Sequence, residues 1–262
     1  MPRFLLQLPR RLFLVVMLLG SALITWASLT YFDFETRPFF MIEKMPLRFE
    51  SLWLASLRIH VATALVTFPL CLVLMTRWVQ RRPTLHRWLG RFTGSAVLVS
   101  LVPSGVVLAF DAKGGPFASL GFLLTGALVA VAMVLGISAA RRRDFVAHRR
   151  AMNHVVAQMS VAVTSRALIL GLDRLGFEPE LAYLVALWVP VLFSAVVAEL
   201  VSPRASGSAG SMSSRRWSLG PAVRVLLEKV DFRRALPLRM SRDQPAPVRS
   251  GSFRGHGRSL RS

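Results

Sequence analysis

Six blocks of apolar residues, separated by short polar stretches, organise the chain between residues 12 and 201. They fall at 12–30, 52–75, 89–110, 117–140, 151–172 and 181–201. A helix of about 20 residues, rising 1.5 Å per residue, crosses a hydrocarbon core of about 30 Å. The pattern therefore predicts an all-α polytopic transmembrane bundle of about six spans. Residues 1–31 form the first transmembrane helix, 32–51 an outer loop, and 52–201 a five-span bundle. The first block follows Arg3, Arg10 and Arg11, as a signal peptide would. It is longer than a usual signal core, and Thr25-Trp26-Ala27 is a poor cleavage site, so an uncleaved helix is expected. Pro69, Pro103 and Pro190 interrupt three blocks, which a transmembrane helix tolerates when neighbours satisfy the freed carbonyl.

The polar connectors set the orientation. Arg77, Arg81, Arg82, Arg87 and Arg91 lie about the second connector, and Arg141, Arg142, Arg143, Arg149 and Arg150 about the fourth. The alternate connectors are close to neutral: one Lys and one Asp at 111–116, and Asp173, Arg174, Glu178 and Glu180 at 173–180. Positive residues stay on the cytoplasmic side. Both termini are therefore expected in the cytoplasm, with the protein in the inner (plasma) membrane.

Composition supports this reading. The chain of 262 residues is 53% hydrophobic, and its mean hydropathy is +0.51. The formal net charge of +20 would suggest nucleic acid in a soluble protein. Here the charge sits beside apolar spans and in a tail, which points to the lipid bilayer and not to nucleic acid. The tail, 202–262, carries 13 basic against three acidic residues and is rich in Ser, Gly and Pro. It is expected to be mostly disordered. Within it, 221–236 places Val223, Leu226, Leu227, Val230 and Phe232 among Arg224, Lys229, Arg233 and Arg234, as an amphipathic helix on anionic lipid headgroups would. Cys71 is the only cysteine, so an intrachain disulfide and a cysteine cluster for zinc or iron–sulfur are both ruled out.

Ionisable residues inside apolar spans are costly and mark candidate chemistry. The second span aligns Ser56, His60, Ala64, Thr67 and Cys71 on one stripe; the fifth aligns His154, Gln158, Ala162, Ser165 and Arg166. His60 and Arg166 come out at similar depths in the outer half, on the order of 10 Å in. With Arg58 they could line an outward cavity for a small anion or a quinone headgroup; alternatively the arginines snorkel to the headgroups. On the arginine-rich side, His86 opens the third span and His148 and His154 flank the start of the fifth. Two histidines from two helices at one depth, with arginine for the propionates, would suit a b-type haem. His148 and His154 are about 240° apart around a helix, so only one can face His86. His154 shares the polar stripe and is expected to be that one. Small residues recur at Gly90 and Gly94 and at Gly121, Thr125, Ala132, Gly136 and Ala140, as close helix packing requires. No serine–histidine–acid arrangement, carboxylate relay or phosphate-cradling glycine loop is present in the sequence.

Five strings occur in order: LHRWLGRFTG at 85–94, FDAKGGPFASLGF at 110–122, RRRDFVAHRRAM at 141–152, AVTSRAL at 162–168 and WVPVLFSAVVAEL at 188–200. Together with His60 they resemble a family of predicted bacterial membrane proteins, domain of unknown function 2306, over roughly residues 50–201. The resemblance implies a helical membrane bundle and no assigned activity. The chain departs from that pattern at Ala151, where Trp is usual, and at Asn153-His154, where Ile-Arg is more typical.

Three classes of function remain open from sequence. They are a redox component binding b-type haem or quinone, a non-enzymatic binder or transporter of a small anion, and a membrane organiser acting through its basic tail. The orientation is directly testable. Reporter fusions after Lys113 and Glu178 should be active only with an outside reporter, and fusions after Arg82, Arg143 and Arg216 only with a cytoplasmic one. An outside signal at Arg143 would refute six spans.

Overall fold

Lipid offers no hydrogen bonds to the backbone, so a chain that crosses it must satisfy its own amides within each segment. The computed structural model describes residues 8–33, 47 and 49–202, and all of its spans are helices. Helix α1 (Leu8–Ser28) continues into a tighter turn, Leu29–Phe32. It is followed by α2 (Glu50–Leu74), a single helical turn (Arg77–Gln80), α3 (Pro83–Phe110), α4 (Gly115–Arg141), α5 (Phe145–Arg174) and α6 (Pro179–Val201). The six long helices are each apolar and long enough to cross a membrane. The amphipathic segment 221–236 and most of the loop 32–51 lie outside the described residues.

Two helices begin earlier than the apolar blocks indicate. α3 starts at Pro83 and α5 at Phe145, each some six residues ahead. Local chemistry explains both. Proline is pre-shaped for the first helical turn. The Asp144 carboxylate accepts the Ala147 N–H and caps α5. The apolar run marks where hydrocarbon starts, whereas the cap marks where the helix starts.

α5 is the hub. It packs against α1, α2, α4 and α6, while α3 bridges α2 and α4. The main core joins Met17 of α1, Phe68, Cys71 and Leu72 of α2, Val97 and Leu101 of α3, Val129, Ala132 and Met133 of α4, and Val155, Val156 and Met159 of α5. The Cys71 thiol lies 3.6 Å from the Met159 sulfur at its centre. A second core joins Ala118, Val161, Leu187 and Val191 of α4, α5 and α6. Large side chains such as Leu23, Trp26, Val99 and Phe193 point outward, as residues facing acyl chains do.

Lipid tails are as apolar as leucine, so association in a bilayer depends on close packing rather than on hydrophobic expulsion. The small residues supply that closeness. A Cβ on Gly121 would lie 2.8 Å from Leu187 Cδ2, and one on Gly136 would collide with the Met152 methyl. The stripe of small residues in α4 is thus packing surface against α5 and α6.

α3 is not a uniform helix. Val97–Leu101 widens into a π-helical segment just before Pro103. Nearby side chains take up the loosened carbonyls: the Ser104 hydroxyl donates to Ser100 O at 2.6 Å, and His60 Nδ1 bonds Leu101 O at 3.0 Å.

Two outcomes follow. Gly121→Ala should destabilise the protein by about 1–3 kcal/mol through overpacking. Gly126→Ala, with nothing within 4 Å of its Cβ position, should be neutral or better in the same thermal-shift assay. At the other end of α6, the Glu178 carboxylate accepts the N–H groups of Glu180 and Leu181, and these bonds hold its pKa below the ordinary value. A depressed carboxylate stabilises the fold above its unfolded pKa and loses that effect as pH falls through its folded pKa. Glu178→Ala should therefore lower the melting temperature at neutral pH, and the gap to wild type should close in acid.

Candidate functional site

The polar side chains of the bundle gather at two ends, and the histidines divide between them. At the end away from the arginine-rich connectors, His60 is half-buried and held by α3 rather than by the residues expected to face it. A carbonyl oxygen can only accept, so the His60 Nδ1 that bonds Leu101 O must carry the proton. In the neutral ring Nε2 is then a bare lone pair. The ring sits so close to α3 that a Cβ on Gly105 would lie 3.0 Å from its Cε1.

Arg58 and Arg166 do not join it. Arg58 Nε donates to Tyr31 O at 3.3 Å, and Arg166, exposed, donates from Nη1 to Ala162 O of its own helix at 2.8 Å. Among the described residues no hydrogen bond or ring contact links His60 to either arginine. The long guanidinium stems reach backbone carbonyls near the span ends, and Tyr31 lies within reach of both arginines, while His60 is held by α3.

The arginine-rich end is organised differently. There the first turns of α3 and α5 meet the last turns of α4. His86 of α3 and His148 of α5 have ring centroids 6.3 Å apart and planes crossed at 85°. His148 Nδ1 donates to Gly136 O of α4 at 2.9 Å, which leaves its Nε2 as a lone pair. His86 Nδ1 is buried with no hydrogen-bond partner among the described residues. A Cβ on Gly90, one turn along α3 from His86, would meet nothing within 4 Å.

His148, not His154, is therefore the partner of His86, a correction to the sequence expectation. His154 does turn into the bundle, as its polar stripe requires, but toward α6. Its Nε2 lies 3.2 Å from Glu199 Oε2, and Arg150 pairs with the other oxygen of the same carboxylate. One turn further in, buried Gln158 donates to Val191 O of α6 at 3.2 Å. Asn153 reaches Ser202 at 3.4 Å, so a run of polar contacts joins α5 to α6 from the arginine-rich end inward. Periodicity identifies which residues share a helix face; it does not identify the helix opposite. The signal that could have indicated α6 was Glu199, the one acid in its last turns.

The donor set at this end is two imidazoles from separate helices. No group of three or more His, Cys, Asp or Glu able to hold a metal ion occurs among the described residues. A metal bound by His86 and His148 would need its remaining ligands from a partner molecule or a macrocycle.

No curated protein and no solved structure matches the chain. The family model described as predicted membrane protein (DUF2306) matches residues 57–202, more than half of the 262 residues. The match takes in His60, His86, His148, His154 and Arg166, all five strings, the last four spans and most of the second. With six apolar helices of spanning length and a family match over most of the bundle, the chain belongs to the DUF2306 family of predicted membrane proteins.

Proposed function

We propose that this multi-pass membrane protein is a redox component that holds one b-type haem between His86 and His148, at the end that faces the cytoplasm. The observation that carries the reading is the 6.3 Å separation of the two rings. Two metal–nitrogen bonds of about 2 Å each, plus about 1 Å from each nitrogen to its ring centre, sum to about 6 Å. His148 is tied through Nδ1 and presents Nε2, the arrangement in which a second hydrogen bond fixes a ligating imidazole. Two imidazoles are the whole donor set, and a porphyrin supplies the other four nitrogens. Arg87, Arg91, Arg141 and Arg149 flank the pair in sequence and can serve propionates. Bound there, a haem would supply one-electron transfer. Gly90 leaves the face of α3 beside His86 open.

The small-anion alternative needs Arg58, His60 and Arg166 to share one cavity; Arg58 and Arg166 both lie near Tyr31, while His60 bonds Leu101 O of α3. The basic tail is proposed to rest on anionic lipid.

The test is a reduced-minus-oxidised spectrum of membranes expressed with ample haem supply. Haem per mole of folded protein should fall with His86→Ala and His148→Ala and persist with His154→Ala. Thermal melting of each variant separates ligand loss from unfolding. A wild-type protein without haem ends this reading.

A further inference from the structure

The turn between α4 and α5 places an arginine where the backbone asks for glycine. Asp144 N–H bonds Ala139 O at 2.9 Å and Arg143 N–H bonds Ala140 O at 3.1 Å, the paired closure that ends a helix on a left-handed residue. That residue is Arg143, with φ of 61°. The same closure ends α5, where Phe177 N–H bonds Leu172 O and Gly176 N–H bonds Asp173 O. There the left-handed residue is glycine, at φ of 77°. A side chain in this conformation is strained and glycine is not. The chain thus accepts at Arg143 a cost that it avoids at Gly176, and what it keeps in exchange is a guanidinium.

The surroundings are mostly arginine. Arg141, Arg142 and Arg143 are exposed in this turn, and Arg81 and Arg82 are exposed in the connector before α3. His86, four residues after Arg82, touches His148, five residues after Arg143, so both arginine groups lie at the same corner-end of the bundle as this contact. The acids nearest this corner are engaged: Asp144 caps Ala147 N–H and Glu199 pairs with Arg150. The Arg82 guanidinium lies 4.0 Å over the ring of Trp78, and Trp78 and Trp88 are 57% and 68% exposed. Exposed tryptophans beside arginines at a span end mark the headgroup level of a bilayer.

We propose that this corner, built on Arg82 and Trp78 of one connector and Arg141, Arg142 and Arg143 of the other, binds the phosphate headgroup of an anionic phospholipid. The site is made of bundle residues and lies next to the histidine pair, with Arg141 common to the surroundings of both. The guanidinium of Arg143 holds a lipid phosphate, and the backbone strain at that residue is retained for this contact. Arginine suits the task because its planar fork matches phosphate oxygens. Basic pockets at span ends take such headgroups.

The full-length protein, delipidated and placed in phosphatidylcholine nanodiscs, is titrated with cardiolipin, phosphatidylglycerol, further phosphatidylcholine or inorganic phosphate, and bound lipid is counted by native mass spectrometry. Anionic lipid should bind at least tenfold more tightly than phosphatidylcholine, and inorganic phosphate should not compete. Arg143→Gly should raise the melting temperature in phosphatidylcholine discs and weaken anionic-lipid binding at least fivefold. Arg82→Gln should weaken binding without that rise. Replacing Arg224, Arg233 and Arg234 together with Gln should leave this binding in place. The proposal is overturned if Arg143→Gly stabilises the protein with lipid affinity unchanged, if stability and affinity fall together, if the tail variant removes the binding, or if free phosphate competes on equal terms.

Discussion

The structure depends on the need of every backbone amide to find a partner inside a medium that offers none. Helices meet that need by themselves, and the few places where the helix departs from regularity are where side chains of chemical interest gather. The π-helical segment of α3 and Pro103 loosen carbonyls in the half of the bundle away from the arginine-rich connectors, and His60 and Ser104 turn to them. At the arginine-rich end the last turns of α4 meet the first turn of α5, and His148 crosses to Gly136 O. Carbonyls of α3 and α4 thus orient two of the histidines and fix which ring nitrogen carries the proton.

Close packing acts on the same helices. α5 is the most polar of the spans and also the most central, because its histidine and glutamine are affordable only where α6 supplies a carboxylate and a carbonyl. Its opposite sides meet apolar groups: Cys71 of α2 through Met159, and the small-residue face of α4 through Met152. One helix therefore carries the core and the polar run together, and the histidines at its start inherit their positions from that packing. His148 sits on the side toward α3 and α4 and meets His86; His154 sits on the side toward α6 and meets Glu199. The two have different neighbours and hence different chemistry: a pair of imidazoles in one case, an arginine–glutamate–histidine cluster in the other.

What the sequence by itself determined was what is written in local apolar length and periodicity. Length and apolarity give the six spans, since a segment of that kind is stable across a bilayer whatever its neighbours do. The five strings around His86, Asp144 and Arg166 were enough to indicate the DUF2306 family, and the match over residues 57–202 bears that out. The first part of the polar stripe of α5, His154 and Gln158, was readable as inward-facing, because unsatisfied groups cannot face lipid, whereas Ala162 and Arg166 of the same stripe are exposed. Tertiary structure decided the rest, because stripes do not name their partners. That His148 rather than His154 meets His86, that Arg58 and Arg166 end on separate carbonyls, and that Glu199 joins α6 to α5 depend on which helices are neighbours and on their rotation. The left-handed turn at Arg143 is of the same kind. No sequence rule puts an arginine there, and only the closure of α4 onto α5 shows that the residue occupies a glycine's place.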